Sequence, residues 1–140
     1  MKRSMKYLSG TVLGLILALS AVPGHAQDGA KIKASIPFNF LVGNKELKAG
    51  DYVIQRAGET GALIIRSEDG GDQQIVYGVR KESNKTGNRE RLVFHRYGNQ
   101  YFLSQIWLSG DEDGHELARG AQEKNAAAKQ PTSDEAVVGQ

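Results

Sequence analysis

The chain has 140 residues, with 18 basic and 16 acidic side chains and no cysteine. A disulfide framework, a thiol nucleophile, a cysteine zinc site and lipid attachment through cysteine are thereby excluded. Three of the basic residues, Lys2, Arg3 and Lys6, stand at the start; beyond residue 26, fifteen basic residues face sixteen acidic ones, a net charge of −1 that does not point to nucleic acid.

The first element is "MKRSMK", followed by the apolar run "TVLGLILALSAV" and by "PGHAQ". A basic start, a short apolar segment and small residues before a cut make a secretory signal peptide. Gly24 and Ala26 take the small-residue positions, which places cleavage after Ala26. The run falls short of the roughly 20 apolar residues that a span requires, and Pro23 with Gly24 stops any helix there. The expectation is an exported protein, periplasmic or extracellular, with no membrane span after cleavage: residues 1–26 a signal peptide, 27–110 a β domain, 111–140 an acidic flexible tail. Residues 27–140 suffice for one modest core and are too few for two domains.

The body reads as β. In "IKASIPFNF", Ile32, Ala34, Ile36, Phe38 and Phe40 alternate with polar residues, the period of a half-buried strand. Pro37 lacks an N–H, so the strand lies at an edge or bends there. Gly43-Asn44 and Ala49-Gly50-Asp51 are turn signals, with Leu47 between them as a core plug. "YVIQR", "ALIIRS" and "QQIVYGVRK" follow as strands, separated by "AGETG" and "SEDGGD", and "ESNKTGNRE" is a polar loop. Regular short strands with turns between them predict an all-β fold, a small antiparallel β-sandwich or barrel-like domain of about six to seven strands.

"LVFHRYGNQYFLSQIW" (92–107) is the last hairpin. A two-residue Gly98-Asn99 turn, glycine first, suits the type II′ geometry that twisted strands prefer. That register pairs His95 with Phe102, Phe94 with Leu103 and Leu92 with Gln105, and sets Arg96 opposite the Tyr101 ring. Leu92, Phe94, Tyr101, Leu103 and Trp107 then share the core face. Val93, His95, Tyr97, Phe102 and Ile106 form a second face, itself more apolar than an outward sheet face should be. The tail or a partner is expected to cover it in part. After Trp107, "SGDEDGHE" is an acidic loop, "ELARGAQEKNAAAKQ" is partly helical and "PTSDEAVVGQ" is too polar to dock. Residues 111–140 carry seven acids against three bases, whereas residues 27–110 carry twelve bases against nine acids.

"KASIPFNFLVGNKELKAGDYVIQR" and "RLVFHRYGNQYFLSQIW" resemble the two signatures of a family of small exported bacterial proteins of unknown function. Ser35, Ile36, Pro37, Phe38, Phe40, Val42, Gly43, Leu47, Ala49, Gly50 and Tyr52 match the first signature, and Lys48 replaces its proline. The resemblance spans residues 31–108. It implies a secreted β domain and brings no activity with it.

Residues with chemical potential are few. His95 has Ser104 on its own face, but the hairpin holds no acid to complete a relay, so no catalytic triad is read. His95 and His115 alone do not make a metal site, and the acidic turns lack the calcium-loop pattern. No phosphate loop is present and no cofactor is expected. A basic stretch around Arg80, Lys81, Lys85, Arg89 and Arg91 is suited to an anionic polysaccharide, a lipid headgroup or the acidic tail. With His95, Tyr97 and Phe102 it forms the candidate interaction surface. Three readings follow: a non-enzymatic binding or structural module of the cell envelope, with a polysaccharide or protein partner; a carbohydrate-active envelope enzyme, which needs a carboxylate pair in a cleft; and a self-associating surface component.

Intact-mass measurement of protein recovered from the envelope or medium should find a chain beginning at Gln27. A species still carrying Met1 and held in the membrane would contradict the export reading.

Overall fold

The computed structural model describes residues 29–83 and 89–140. The signal segment and Lys85 lie outside the described residues. Ten strands and one helix run in the order β1 (Lys31–Ile36), β2 (Phe40–Val42), β3 (Lys45–Leu47), β4 (Gly50–Ala57), β5 (Ala62–Ser67), β6 (Gln73–Lys81), β7 (Arg91–Tyr97), β8 (Gln100–Trp107), β9 (Gly114–Leu117), α1 (Ala121–Lys129) and β10 (Ser133–Val138). The protein is all-β, with more strands than the six or seven expected. The alternating stretch from Ile32 to Phe40 is broken at Pro37 into β1 and β2. Gly43-Asn44 turns β2 back into β3, and the segment after Trp107 supplies two further strands.

The strands follow one hydrogen-bonded path, β1-β4-β5-β6-β9-β8, from which β8 continues to β7 and β10 on one edge and to β2 and β3 on the other. β6 is the joint. Its first half pairs with β5, through Ala62–Tyr77 to Arg66–Gln73, and its second half pairs with β9, through Gly78–Leu117 to Lys81–Gly114. Gly78 stands at the changeover, where a Cβ would come within 2.7 Å of the His115 Cβ. Any larger residue would push β9 away. The two far ends of the path also meet: the Gln140 N–H donates to the Lys33 carbonyl at 2.8 Å, and Gln140 Nε2 donates to Ser35 Oγ at 2.6 Å.

The core draws on almost every strand: Ile32, Ala34 and Ile36 from β1, Phe40 and Val42 from β2, Leu47, Tyr52 and Ile54, Leu63 and Ile65, Leu92 and Phe94, Leu103 and Ile106, with Leu108 beyond. Phe94 is the centre of its aromatic part. Its ring meets Phe38 edge-on at 5.0 Å and Phe40 at 5.4 Å, and Phe38 stacks on Tyr101.

The 92–107 hairpin turns at Gly98, whose φ is +60°. No described non-glycine residue has a positive φ, so Asn99 does not, and the turn is type II′ rather than I′. Tyr97–Gln100, Arg96–Tyr101, His95–Phe102 and Phe94–Leu103 pair as the sequence predicts, and the Arg96 guanidinium lies 5.3 Å from the centre of the Tyr101 ring. Beyond Phe94 the register slips. Val93 pairs with Gln105, and Leu92 pairs with Ile106 rather than with Gln105. One extra residue on β8 makes a β-bulge, and a bulge reverses the faces of everything after it. Ile106 therefore enters the core and Trp107 leaves it, the opposite of the even-register expectation. Trp107 is still 5 % exposed, with the Arg91 guanidinium 4.4 Å from its ring centre. The bulge falls where β8 changes neighbours: Phe102 pairs with Leu41 of β2, whereas Gln105 and Ile106 pair with β9.

The segment expected as a flexible tail forms β9, α1 and β10. β10 pairs with β7 along its whole length, from Ser133–Arg96 to Val138–Arg91. Its composition is as polar as the sequence suggests, and only Val137 packs against the core. Backbone pairing and polar contacts hold it instead of apolar burial. No helix among the described residues is long and apolar enough to cross a membrane.

Phe94→Ala should lower the unfolding free energy by about 3–5 kcal/mol, as large aromatic deletions in a packed core do. Denaturant melts measure it; a loss below that of an exposed-site substitution would mean that the ring cluster is not the core.

Candidate functional site

Two sites merit consideration: a polar cluster under α1 and an apolar stripe on β6. The cluster begins with His95 on β7. Its Nδ1 lies 2.6 Å from Glu123 Oε1 and its Nε2 lies 3.0 Å from Ser104 Oγ. A neutral ring carrying its proton on Nδ1 satisfies both contacts, donating to the carboxylate and accepting from the hydroxyl. Tyr97 Oη donates to the same Glu123 oxygen at 3.1 Å. Arg119 Nε stands 3.6 Å from that oxygen, and Asp134 Oδ1 of β10 stands 3.8 Å from His95 Nε2.

The acid missing from the hairpin thus comes from the helix, 28 residues further along the chain. Serine, histidine and glutamate stand in the order of a hydrolase relay. Access is what they lack. Ser104 and Glu123 are each only 4 % exposed, and none of the described cavities is lined by them. A nucleophile must reach a substrate carbonyl with oxyanion donors nearby. This hydroxyl instead lies buried against the His95 ring. Its chemistry is that of a satisfied buried network, in which one Glu123 carboxyl oxygen meets both the His95 ring and the Tyr97 hydroxyl.

The cluster also decides the fate of the second hairpin face. Tyr97 is 1 % and Phe102 is 2 % exposed, and Tyr97 meets Phe102 edge-on at 5.7 Å. These two residues, with His95, were expected to offer a contact surface. Tyr97 and Phe102 are closed off by the chain itself, whereas His95 is half-buried.

The basic residues are dispersed rather than gathered. Arg80 pairs with Asp113, and Lys81 Nζ lies 2.7 Å from Glu116 Oε2. Arg91 sits on Trp107, while Arg89 lines a separate cavity beside Glu90 and Val138. Of the three anions considered for this stretch, the chain's own acidic segment is the one that Arg80 and Lys81 meet.

Comparison with protein-family models, with curated proteins and with solved structures finds no match. The site must therefore be read from its own geometry.

A cavity of 330 Å³ at the Lys48–Asp51 turn is lined by Asp51, Glu68, Asp69 and Asp72. Asp51 accepts from Ser35 Oγ. The Ser67 hydroxyl, at 2.6 Å, and the Gly71 N–H, at 2.8 Å, hold the Asp69 carboxyl below the usual carboxylate range. That is the wrong direction for the proton donor of a glycosidase. Burial, reinforced by Asp72 and Asp69, pushes the Tyr52 phenol up, and its hydroxyl donates to the Lys48 carbonyl. These groups brace two turns.

The apolar stripe is the feature that the sequence reading missed. Ile75 is 53 %, Tyr77 72 % and Val79 73 % exposed, all on one face of β6. Alternate positions Gln74, Val76 and Gly78 face inward. Ile75 is paired with the half-buried Ile64 of β5, whereas Ala62, opposite Tyr77, is buried. A signal was present: in "QQIVYGVRK" the larger apolar side chains occupy the odd positions, and the even ones are glutamine, valine, glycine and arginine. Read for periodicity alone, this strand places its bulkier face inside. The fold does the reverse.

His95→Ala should cost about 1–3 kcal/mol, because the buried Glu123 carboxylate loses a donor. Glu123→Ala should cost a similar amount. The double variant should lose less than the sum, with a coupling of about 0.5–3 kcal/mol in urea melts. Simple additivity would mean that the two side chains do not interact.

Proposed function

We propose that the protein is an exported, non-enzymatic binding module of the cell envelope, built as a small closed barrel, which offers the outer face of β6 to a protein partner. The reading is carried by the exposed row Ile75, Tyr77 and Val79 on a strand whose inward side is the less apolar one. Contiguous exposed apolar side chains on a small domain mark a contact surface. A large aromatic flanked by aliphatic residues is the composition of an interface centre. Charged and polar groups rim the patch: Arg66 and Gln73 at one end, and the Lys81–Glu116 pair at the other.

Export rests on the charged start, apolar run and "GHA" of residues 1–26, and on the resemblance to small exported bacterial proteins. The barrel reading rests on the hydrogen bonds between the two ends of the strand path. The non-enzymatic reading rests on the inaccessibility of Ser104 and on the deprotonated, turn-bracing role of Asp69.

The test combines Ile75→Ser, Tyr77→Ser and Val79→Ser in the full chain. These side chains are largely solvated, so stability should move by no more than about 0.5 kcal/mol each. A photo-crosslinking residue at position 77 should give a discrete adduct in envelope fractions, and serine at 75 and 79 should abolish it. An undiminished adduct, or none at all with the wild-type neighbours in place, would contradict the reading.

A further inference from the structure

The segment from residue 118 onward runs as an arm that ends along the edge of β7. Residues 118–120 belong to no helix or strand and link β9 to α1. The helix buries a single side chain, Glu123, and β10 buries none fully. Yet β10 makes a complete antiparallel ladder with β7. Past its end, the Gly139 N–H donates to the Glu90 carbonyl at 3.1 Å, and Gln140 bonds to Lys33 and Ser35. The arm thus fills a strand-shaped slot between β7 and β1. What it gains there is mostly directional: ladder hydrogen bonds, the Glu123 cluster and charge. Asp134 lies opposite His95 in the register, and Ser133 and Val138 lie opposite Arg96 and Arg91.

We propose that this slot accepts β10 from a second copy of the chain, so that two molecules exchange arms. Lifting the arm costs the Glu123 contacts with His95 and Tyr97, which only a returning arm restores. It also exposes the β7 edge, an unsatisfied row of backbone donors and acceptors that templates a strand. The strand that matches this edge in length, register and charge is another copy's β10. Its docking remakes every contact that was lost, including that of Glu123 with His95, and only the entropy of association opposes it. This surface is independent of the β6 stripe, and its test does not depend on that reading.

The chain has no native cysteine, which makes the exchange directly readable. Arg96 and Ser133 are exposed partners in the β7–β10 ladder. One full-length chain carries Arg96→Cys and another carries Ser133→Cys. The two are mixed at high concentration, passed through a mild denaturant pulse and oxidised. Arm exchange predicts a mixed disulfide-linked dimer in roughly tenfold or greater excess over a control pair of Ser133→Cys with Glu59→Cys, because a shared ladder holds the two thiols at a high effective concentration. A single chain bearing both Arg96→Cys and Ser133→Cys, kept dilute, should lock internally. Equal yields from the two mixed pairs would overturn the exchange, as would failure of the double variant to lock.

Discussion

A carboxyl group that is 4 % exposed is costly unless its oxygens find hydrogen-bond partners, and Glu123 is such a group. It finds them on the hairpin: the imidazole of His95 and the phenol of Tyr97, with Arg119 nearby. Much of the structure follows from that one contact. It seats α1 on the second hairpin face, where Tyr97 reaches the same carboxyl oxygen as His95. It brings β10 alongside β7, and β10 in turn carries Gln140 to β1. A helix with hardly any apolar face of its own is held in place by the hydrogen bonds of a buried carboxyl group. This division of labour suits an arm that docks firmly in one arrangement and gains little from hydrophobic burial.

The bulge in β8 is the second organising device. A regular hairpin would turn Trp107 inward and Ile106 outward, and its one edge would have to pair with a single neighbour. The added residue lets the strand meet β2 before the bulge and β9 after it. It also exchanges the two side chains, so that compact Ile106 completes the core and Trp107 lies under Arg91. With the hairpin's two faces occupied by core and arm, the exposed apolar row on β6 is left as the surface with something to offer a partner.

Much of the body was legible from local chemistry. Alternation located β1, β4 and β5, Pro37 broke the first strand, and Gly98-Asn99 set the turn and the first four pairs of the hairpin. Three features were not legible, each for a physical reason. The bulge leaves no mark in composition, because one inserted residue alters pairing without altering polarity. The arm looked unfoldable because its stability comes from backbone pairing and one buried glutamate, which hydrophobicity cannot register. The β6 stripe was hidden because periodicity shows which residues share a face, and not which face is turned inward. At the surface read at His95, Tyr97 and Phe102, the segment expected to give partial cover is built into the sheet, and both aromatic rings are buried.

Residue-resolved hydrogen exchange on the wild-type chain and on Glu123→Ala is the most direct test of this dependence. The account predicts that in the wild type the amides of β10 and its ladder partners on β7 are protected. In the variant that protection should collapse, while β4 and β5, neither of which pairs with β10, exchange as before. Wild-type β10 amides that exchange as freely as an unstructured peptide would contradict it. So would an unchanged pattern of protection after Glu123 is removed.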